Sequence, residues 1–468
     1  MRKVMLVFLL VTNAFAARFD DFFLDKTMRA NYVHTGNRGE EIIALSSVVS
    51  DGRWPGSRSR LIDTLNLGNY FFEVIDRDSN ETIYSRGFAS VFGEWVSTDE
   101  AKDHAGSFEE SVRFPWPKKP VQLIIKKRDK ENAFHEIFST LIDPNSRFVN
   151  PADRAPAGKV WSVIENGPPT SKVDILVIGE GYTEGEMAKF HRDVQRMVGK
   201  LFDTEPFKSR KSDFNVRALD LIEPLTGVHR PRTADNRRTA TGVQYNIFDS
   251  ERYVLTFDDH RMRDIAASAP YDFLEILVNE KTYGGGGIFD DQATACVDSA
   301  FSEYIFVHEF GHHFAALADE YYTSPVSYQT AGGVEHPEPW EPNVTANGAH
   351  PKWPTDPDVP LPTPWDKEEF EKHSRAVQAE RARIRAANEP ESVMDKLFTE
   401  ERAWEMKFLG SQKYAGKVGA FEGAAYEPKG LYRPEIDCIM FTRDEVGFCR
   451  ICRKAIERII DLYSLSPP

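Results

Sequence analysis

Several things are scarce in this 468-residue chain, and each scarcity excludes something. Cysteine occurs four times, at Cys296, Cys438, Cys449 and Cys452. Only Cys449-Arg450-Ile451-Cys452 forms a CxxC pair, and a zinc ribbon needs two. The pair falls in a helix-like segment rather than after a strand, which argues against a thioredoxin-type redox motif, so structural disulfide pairing is the default expectation. Beyond the N-terminus no apolar run approaches the roughly 20 residues that span a bilayer, which excludes membrane insertion. Positive charge is outnumbered, with 58 Lys and Arg against 73 Asp and Glu, for a net charge of −15. Such a surface offers no broad basic field to nucleic acid or to an anionic membrane. Gly179-Glu180-Gly181 lacks the third glycine and the Lys-Ser/Thr of a phosphate loop, and reads as a plain strand-to-helix turn.

What is present describes a soluble globular protein, 41% hydrophobic and 28% charged. Its length favours two domains. Met1-Arg2-Lys3 is a short basic start, Val4 to Val11 is apolar, and Ala14-Phe15-Ala16 carries the small residues of a cleavage site. That pattern predicts a signal peptide at residues 1–16 and an exported protein, periplasmic, cell-surface or secreted.

Residues 17–150 read as a β-sandwich. Tyr70 to Ile75 and Val121 to Ile125 are branched and aromatic like strands, and Asp76 to Asn80 makes a hairpin turn. No catalytic constellation is visible in this part. Prolines 144, 151 and 156 mark a linker, and residues 151–468 form the second domain. There, Val173 to Ile178 predicts a buried strand, and Thr183 with Glu186 a capping box opening a helix through Leu201. Tyr271 to Val278 suits strand or helix. The Gly284-Gly285-Gly286-Gly287 run permits close backbone approach. Ser299 to Ala318 predicts a helix, 323–364 a long irregular insertion, 365–388 an exposed charged helix, and Arg450 to Leu462 a last amphipathic helix.

The helix at 299–318 carries His308-Glu309-Phe310-Gly311-His312, an HExxH motif. Histidines four apart on a helix lie on one side, a turn from each other, where both imidazoles can share one Zn2+. Glu309 sits slightly round the helix, within reach of a zinc-bound water rather than of the metal. As general base it takes that water's proton during attack on a carbonyl, then passes it to the leaving amine. Chance supplies such a pentapeptide in roughly a few per cent of chains this long, so context matters. Tyr304 to Val307 before it and Phe314 to Leu317 after it make the helix apolar enough to be buried, and buried histidines need partners.

Zinc needs a third protein ligand. Asp319 starts on the correct face, but an unbroken helix would carry it about 10 Å past His312, so the chain must bend back between His313 and Asp319. Glu320 is its neighbour and rival, and Glu401, Glu405 or Glu422 could serve from a separate element. His313 faces elsewhere and reads as a supporting or structural residue.

These segments, with Leu317 to Tyr322, Phe421-Glu422-Gly423-Ala424, Gly430-Leu431-Tyr432-Arg433-Pro434, Cys438-Ile439-Met440 and Phe448 to Cys452, resemble the M64 family of zinc peptidases, named for an immunoglobulin A peptidase. The resemblance covers roughly residues 160–468, and the β-rich front resembles that family's N-terminal domain. It implies an α/β metzincin-like catalytic domain, with Asp319 as third ligand and Met440 in a methionine turn under the metal. It also implies Tyr432 as a hydrogen-bond donor to the tetrahedral intermediate, with a core tyrosine as the competing role. Ile288 and its glycine run become the upper edge strand, which would pair with an extended peptide. One departure stands out: Ala315 and Ala318 occupy the positions where the common metzincin pattern has glycine and the third ligand. The expected partner is a protein or peptide substrate, with oligomeric state open. The alternative is a zinc-containing binding protein whose metal site is silent or structural.

Overall fold

The computed structural model describes residues 18–324 and 336–464, so the expected signal peptide at 1–16 lies outside the described residues. Among the described residues no helix is long and apolar enough to cross a membrane.

The front of the chain folds into two four-stranded sheets. In the first, β1 (Phe23–Gly36) is flanked by β2 (Glu41–Ser50) and β5 (Gly106–Pro117), with β8 (Val149–Asn150) outside β2. In the second the order is β4 (Thr82–Phe88), β3 (Tyr70–Asp76), β6 (Val121–Arg128), β7 (Phe134–Ile142). Alternating burial along β3 sends Tyr70, Phe72 and Val74 inward, where they share one core with Met28, Ala30 and Phe114 of the first sheet.

His34 lies at the edge of this core. It is 1% exposed, stacked on Phe92 at 3.9 Å, and bonded through Nδ1 to Glu110 Oε2 and through Nε2 to Glu41 Oε1, each at 2.8 Å. Burial alone would lower its pKa. The charges and hydrogen bonds of Glu110 and Glu41 outweigh burial and raise it from 6.5 to about 8. A folded-state pKa above the unfolded one stabilises fully below pH 6.5, and the contribution is lost as pH rises through about 8. The difference corresponds to about 2 kcal/mol. The urea midpoint of the wild type is therefore expected to fall across that window, and His34→Gln to flatten the fall. Parallel profiles for the two proteins would show that the ion pairs carry no such linkage.

The second sheet system has six strands, ordered β13 (Gly285–Ile288), β14 (Gln292–Cys296), β12 (Phe273–Val278), β10 (Val173–Glu180), β11 (Phe214–Asp220), β9 (Lys159–Ile164). The four central strands are parallel and both edges antiparallel. β10 is buried along its whole length, Asp174 and Glu180 included, as its near-continuous apolar run predicts. The segment that suited strand or helix is the central strand β12. The Thr183–Glu186 capping box is present and opens the helix Met187–Asp203. A second long helix, Glu391–Gly410, packs on Lys367–Ala386. Its apolar positions do not form the clear stripe that would mark it in sequence. A small hairpin of β15 (Phe421–Ala424) and β16 (Glu427–Arg433) precedes the final helix Arg450–Ser464.

The two parts of the chain are not independent. Val91, Phe92, Trp95 and Phe108 belong to the same apolar core as the motif helix, and Ala89 N–H donates to Phe289 O at 3.0 Å.

Candidate functional site

The motif helix runs from Ser302 to Ala315, three residues shorter at its end than the sequence suggested. Ile305, Phe306, Val307, Phe310 and Phe314 are all buried, so the helix is apolar on nearly every side and packs against β13 and β14. Its end solves the bending problem. Ala316 adopts φ 56°, ψ 32°, its N–H bonding His312 O, and Leu317 N–H reaches back to Gly311 O. This left-handed cap is normally given to glycine, and an alanine there costs about 1 kcal/mol. The turn folds Asp319 back beside the histidines.

Three atoms converge there. His308 Nε2 and His312 Nε2 are 3.1 Å apart, and Asp319 Oδ1 is 3.1 Å from the first and 3.2 Å from the second. Ligands at about 2.0–2.1 Å from a tetrahedral zinc stand about 3.3 Å from one another, so the triangle has nearly the size of one tetrahedral face. The protons are already committed elsewhere. His308 Nδ1 donates to Ile439 O at 2.9 Å and His312 Nδ1 to Leu317 O, which leaves both Nε2 lone pairs inward. Asp319 Oδ1 is buried without a hydrogen-bond donor. Two lone pairs and a carboxylate oxygen facing one another fit a divalent cation. Protons compete for the same cluster: against the effect of burial, Asp319 pushes His312 up to about 9. Against the effect of its burial, positive charge on the neighbouring imidazoles holds Asp319 well below the ordinary carboxylate range. Tyr426 O–H holds the other oxygen, Asp319 Oδ2.

Glu309 is half-buried beside the histidines, and burial raises its carboxyl pKa, with the two imidazoles opposing. The glycine run explains itself at this point. A Cβ on Gly287 would lie 2.3 Å from Glu309 O, and one on Gly285 would lie 3.0 Å from Glu309 Cγ. Only glycine lets the edge strand β13 rest on the motif helix. Gly311 has the same role below: a Cβ there would meet Phe448 at 2.9 Å and Met440 Sδ at 3.1 Å. Met440 is fully buried under the helix, and its carbonyl accepts from Glu320 N–H at 2.8 Å.

A cavity of about 350 Å³ opens over these groups. Gly285, Gly287, Arg252, Tyr321, Tyr426 and Trp340 are among its walls, as are Asn69, Gly93, Glu94 and Ser97 from the front of the chain. Trp340 and Glu341 bring the irregular insertion to the cleft, and Asn343 anchors it, bonding Ala318 N–H, Ala318 O and Glu320 Oε1 at 2.8, 2.9 and 3.0 Å.

The other candidate residues take other places. Tyr432 does not line the cavity. It pairs through its backbone with Thr345 and its ring covers Gly348. Of the tyrosines that line the cavity, the one bonded to Asp319 is Tyr426, at the tip of the β15–β16 hairpin, where Ala425 and Tyr426 both have positive φ. Neither turn residue is Gly or Asn, so nothing in the sequence signals that turn. The rival carboxylates point elsewhere: Glu401 to Arg443 at 2.9 Å, Glu422 to Lys367 at 2.9 Å, and Glu320 away from the histidines towards Cys452. Glu405 is buried beside Glu401 and Arg443. His313 is a satisfied core residue, donating to Ile288 O and accepting from Leu274 N–H; burial takes its pKa down to about 3. The edge strand β13 runs along the cavity, but Gly285 is already bonded to Arg252 and Val254, and Phe289 O to Ala89. Only the Gly287 portion between them could pair with an extended chain.

A family profile, IgA Peptidase M64, matches residues 162–460, and a second, Peptidase M64 N-terminus, matches residues 18–139. The chain belongs to the IgA peptidase M64 family. No curated protein matches it. Membership makes this M64 chain a peptidase acting on protein substrates, of a family that suggests a metallopeptidase, and every residue of the converging triangle falls inside the first match.

Proposed function

We propose that this M64 protein is an exported, zinc-dependent endopeptidase. Residues 1–16 would be removed as a signal, 17–150 form a β-sandwich, and 151–468 form a metzincin-like catalytic domain. The observation that carries the reading is the convergence of His308 Nε2, His312 Nε2 and Asp319 Oδ1 at 3.1–3.2 Å in the cavity that also holds Glu309.

His308, His312 and Asp319 would hold the cation. When bound, zinc polarises the scissile carbonyl and acidifies a coordinated water. The chain supplies the rest. Glu309 accepts the proton of the attacking water and delivers it to the leaving amine. Arg252, whose Nη2 donates to Tyr321 Oη at 2.8 Å, puts fixed positive charge in the cavity wall, where it would favour negative charge developing on a bound carbonyl. Tyr426 orients Asp319 by donating its hydroxyl proton to Oδ2, a positioning role distinct from the donor role that the resemblance gave to Tyr432. Gly287 offers backbone groups to the substrate chain.

Zinc analysis of the purified protein beside cleavage of a peptide library tests this. The expected outcome is cleavage that is lost with a chelator and restored by zinc. A protein that holds its zinc against chelation and cleaves no peptide would instead be a binder with a structural metal.

A further inference from the structure

On the far side of Asp319 from the histidines lies a second cluster. Glu320, Cys438, Cys449 and Cys452 each offer one ligand atom, all within 4.8 Å of one another, and all four residues are buried. The expected disulfide pairing is absent: the thiols are free, with Cys438 Sγ and Cys452 Sγ 3.9 Å apart and Cys296 outside the group beside Ser302. Cys452 Sγ lies 3.5 Å from Glu320 Oε1. Tetrahedral zinc with sulfur at about 2.3 Å and oxygen at about 2.0 Å sets its ligands about 3.8 Å apart for S···S and about 3.5 Å for S···O. Both separations match.

Backbone N–H groups face two of the sulfurs. Cys449 N–H donates to Cys438 Sγ at 3.3 Å and Cys452 N–H to Cys449 Sγ at 3.4 Å, at the entry to the final helix, whose positive end favours negative charge. Glu320 is 0% exposed, and its Oε2 has no partner among the described residues. Arg433, also fully buried, is the nearby cation, but its Nη groups are committed to the carbonyls of Gly423 and Ile436.

We propose that Cys438, Cys449, Cys452 and Glu320 bind a second divalent thiophilic cation, zinc above all, as a closed four-ligand structural site. Four protein ligands leave no open position for water or substrate, so the site holds structure rather than chemistry. What it holds is specific. Glu320 follows Asp319, Cys438 precedes the Ile439 carbonyl that orients His308, and Met440 comes next. One ion would tie the bent-back ligand loop, the methionine segment and the last helix together.

The test uses the full chain and needs no peptidase activity, so it can fail or succeed independently of the proposed function. His308→Ala/His312→Ala removes the first site and is expected to retain about one zinc per chain, measured by elemental analysis. That zinc should be released by p-hydroxymercuribenzoate, and cobalt in its place should show a thiolate charge-transfer band. Adding Cys449→Ser/Cys452→Ser should abolish both; where that variant does not fold, the mercurial release and cobalt band on the histidine variant decide. A histidine variant with no tightly held metal overturns the proposal, whether its thiols titrate as free or its intact mass reveals a disulfide.

Discussion

Glu309→Gln is expected to lower kcat by roughly 10²–10⁴-fold, with metal content unchanged. The side chain keeps its size, so its contacts with the glycine strand survive, and none of the converging ligand atoms at His308, His312 and Asp319 is touched. What is lost is a group that can take a proton. The factor corresponds to about 3–5 kcal/mol of transition-state stabilisation. The loss should fall on kcat and leave KM nearly unchanged, because Glu309 acts on the water rather than on the bound chain. Steady-state cleavage of a quenched peptide, run beside zinc analysis of the same sample, checks both halves. Proteolysis at the wild-type rate in this variant would remove Glu309 from the mechanism.

Asp319→Ala should weaken binding of the catalytic cation by more than about a hundredfold and take cleavage with it. Loss of partners that merely orient a ligand costs about 10–100-fold in metal affinity, and loss of a ligand costs more. Competition with a chromogenic chelator gives the affinity. The control is Glu422→Ala, which breaks the ion pair with Lys367 and a hydrogen bond from Gly430 N–H but touches none of the converging ligand atoms, and should leave the metal in place. Equal affinity in Asp319→Ala and wild type would mean that another carboxylate completes the shell. Tyr426→Phe, which frees Asp319 Oδ2, should fall between them.

The parts of the site that were legible in sequence share a trait: their signal is local. Histidines four apart on an apolar helix, an aspartate at the right phase, and glycines where backbones touch all follow from spacing and size. The parts that were not legible depend on tertiary contacts that suppress a local preference. Ala316 accepts a left-handed conformation because its N–H and that of Leu317 satisfy the last carbonyls of the helix. Ala425 and Tyr426 do the same in a hairpin tip held by bonds from their N–H groups to Asp319 O and Tyr321 O. Tyr432 came from the family resemblance alone; Tyr426 lies six residues before it on the same hairpin, and only the register of that hairpin brings Tyr426 to Asp319. Asn343 sits in a proline-rich stretch with no periodicity, where sequence offers nothing to read. The cysteines were read as disulfides because the expected export permits them; in the fold three free thiols and a carboxylate share one buried shell, a donor set that would suit a cation.

One wall of the cleft comes from a part of the chain that holds no ligand and no proton shuttle. Asn69, Gly93, Glu94 and Ser97 face the cavity from positions more than two hundred residues before the histidines. Changes confined to that wall can therefore alter which chains fit the cleft without touching His308, Glu309, His312 or Asp319. The front of the molecule is thus a place where selectivity can be tuned separately from the cation-facing groups.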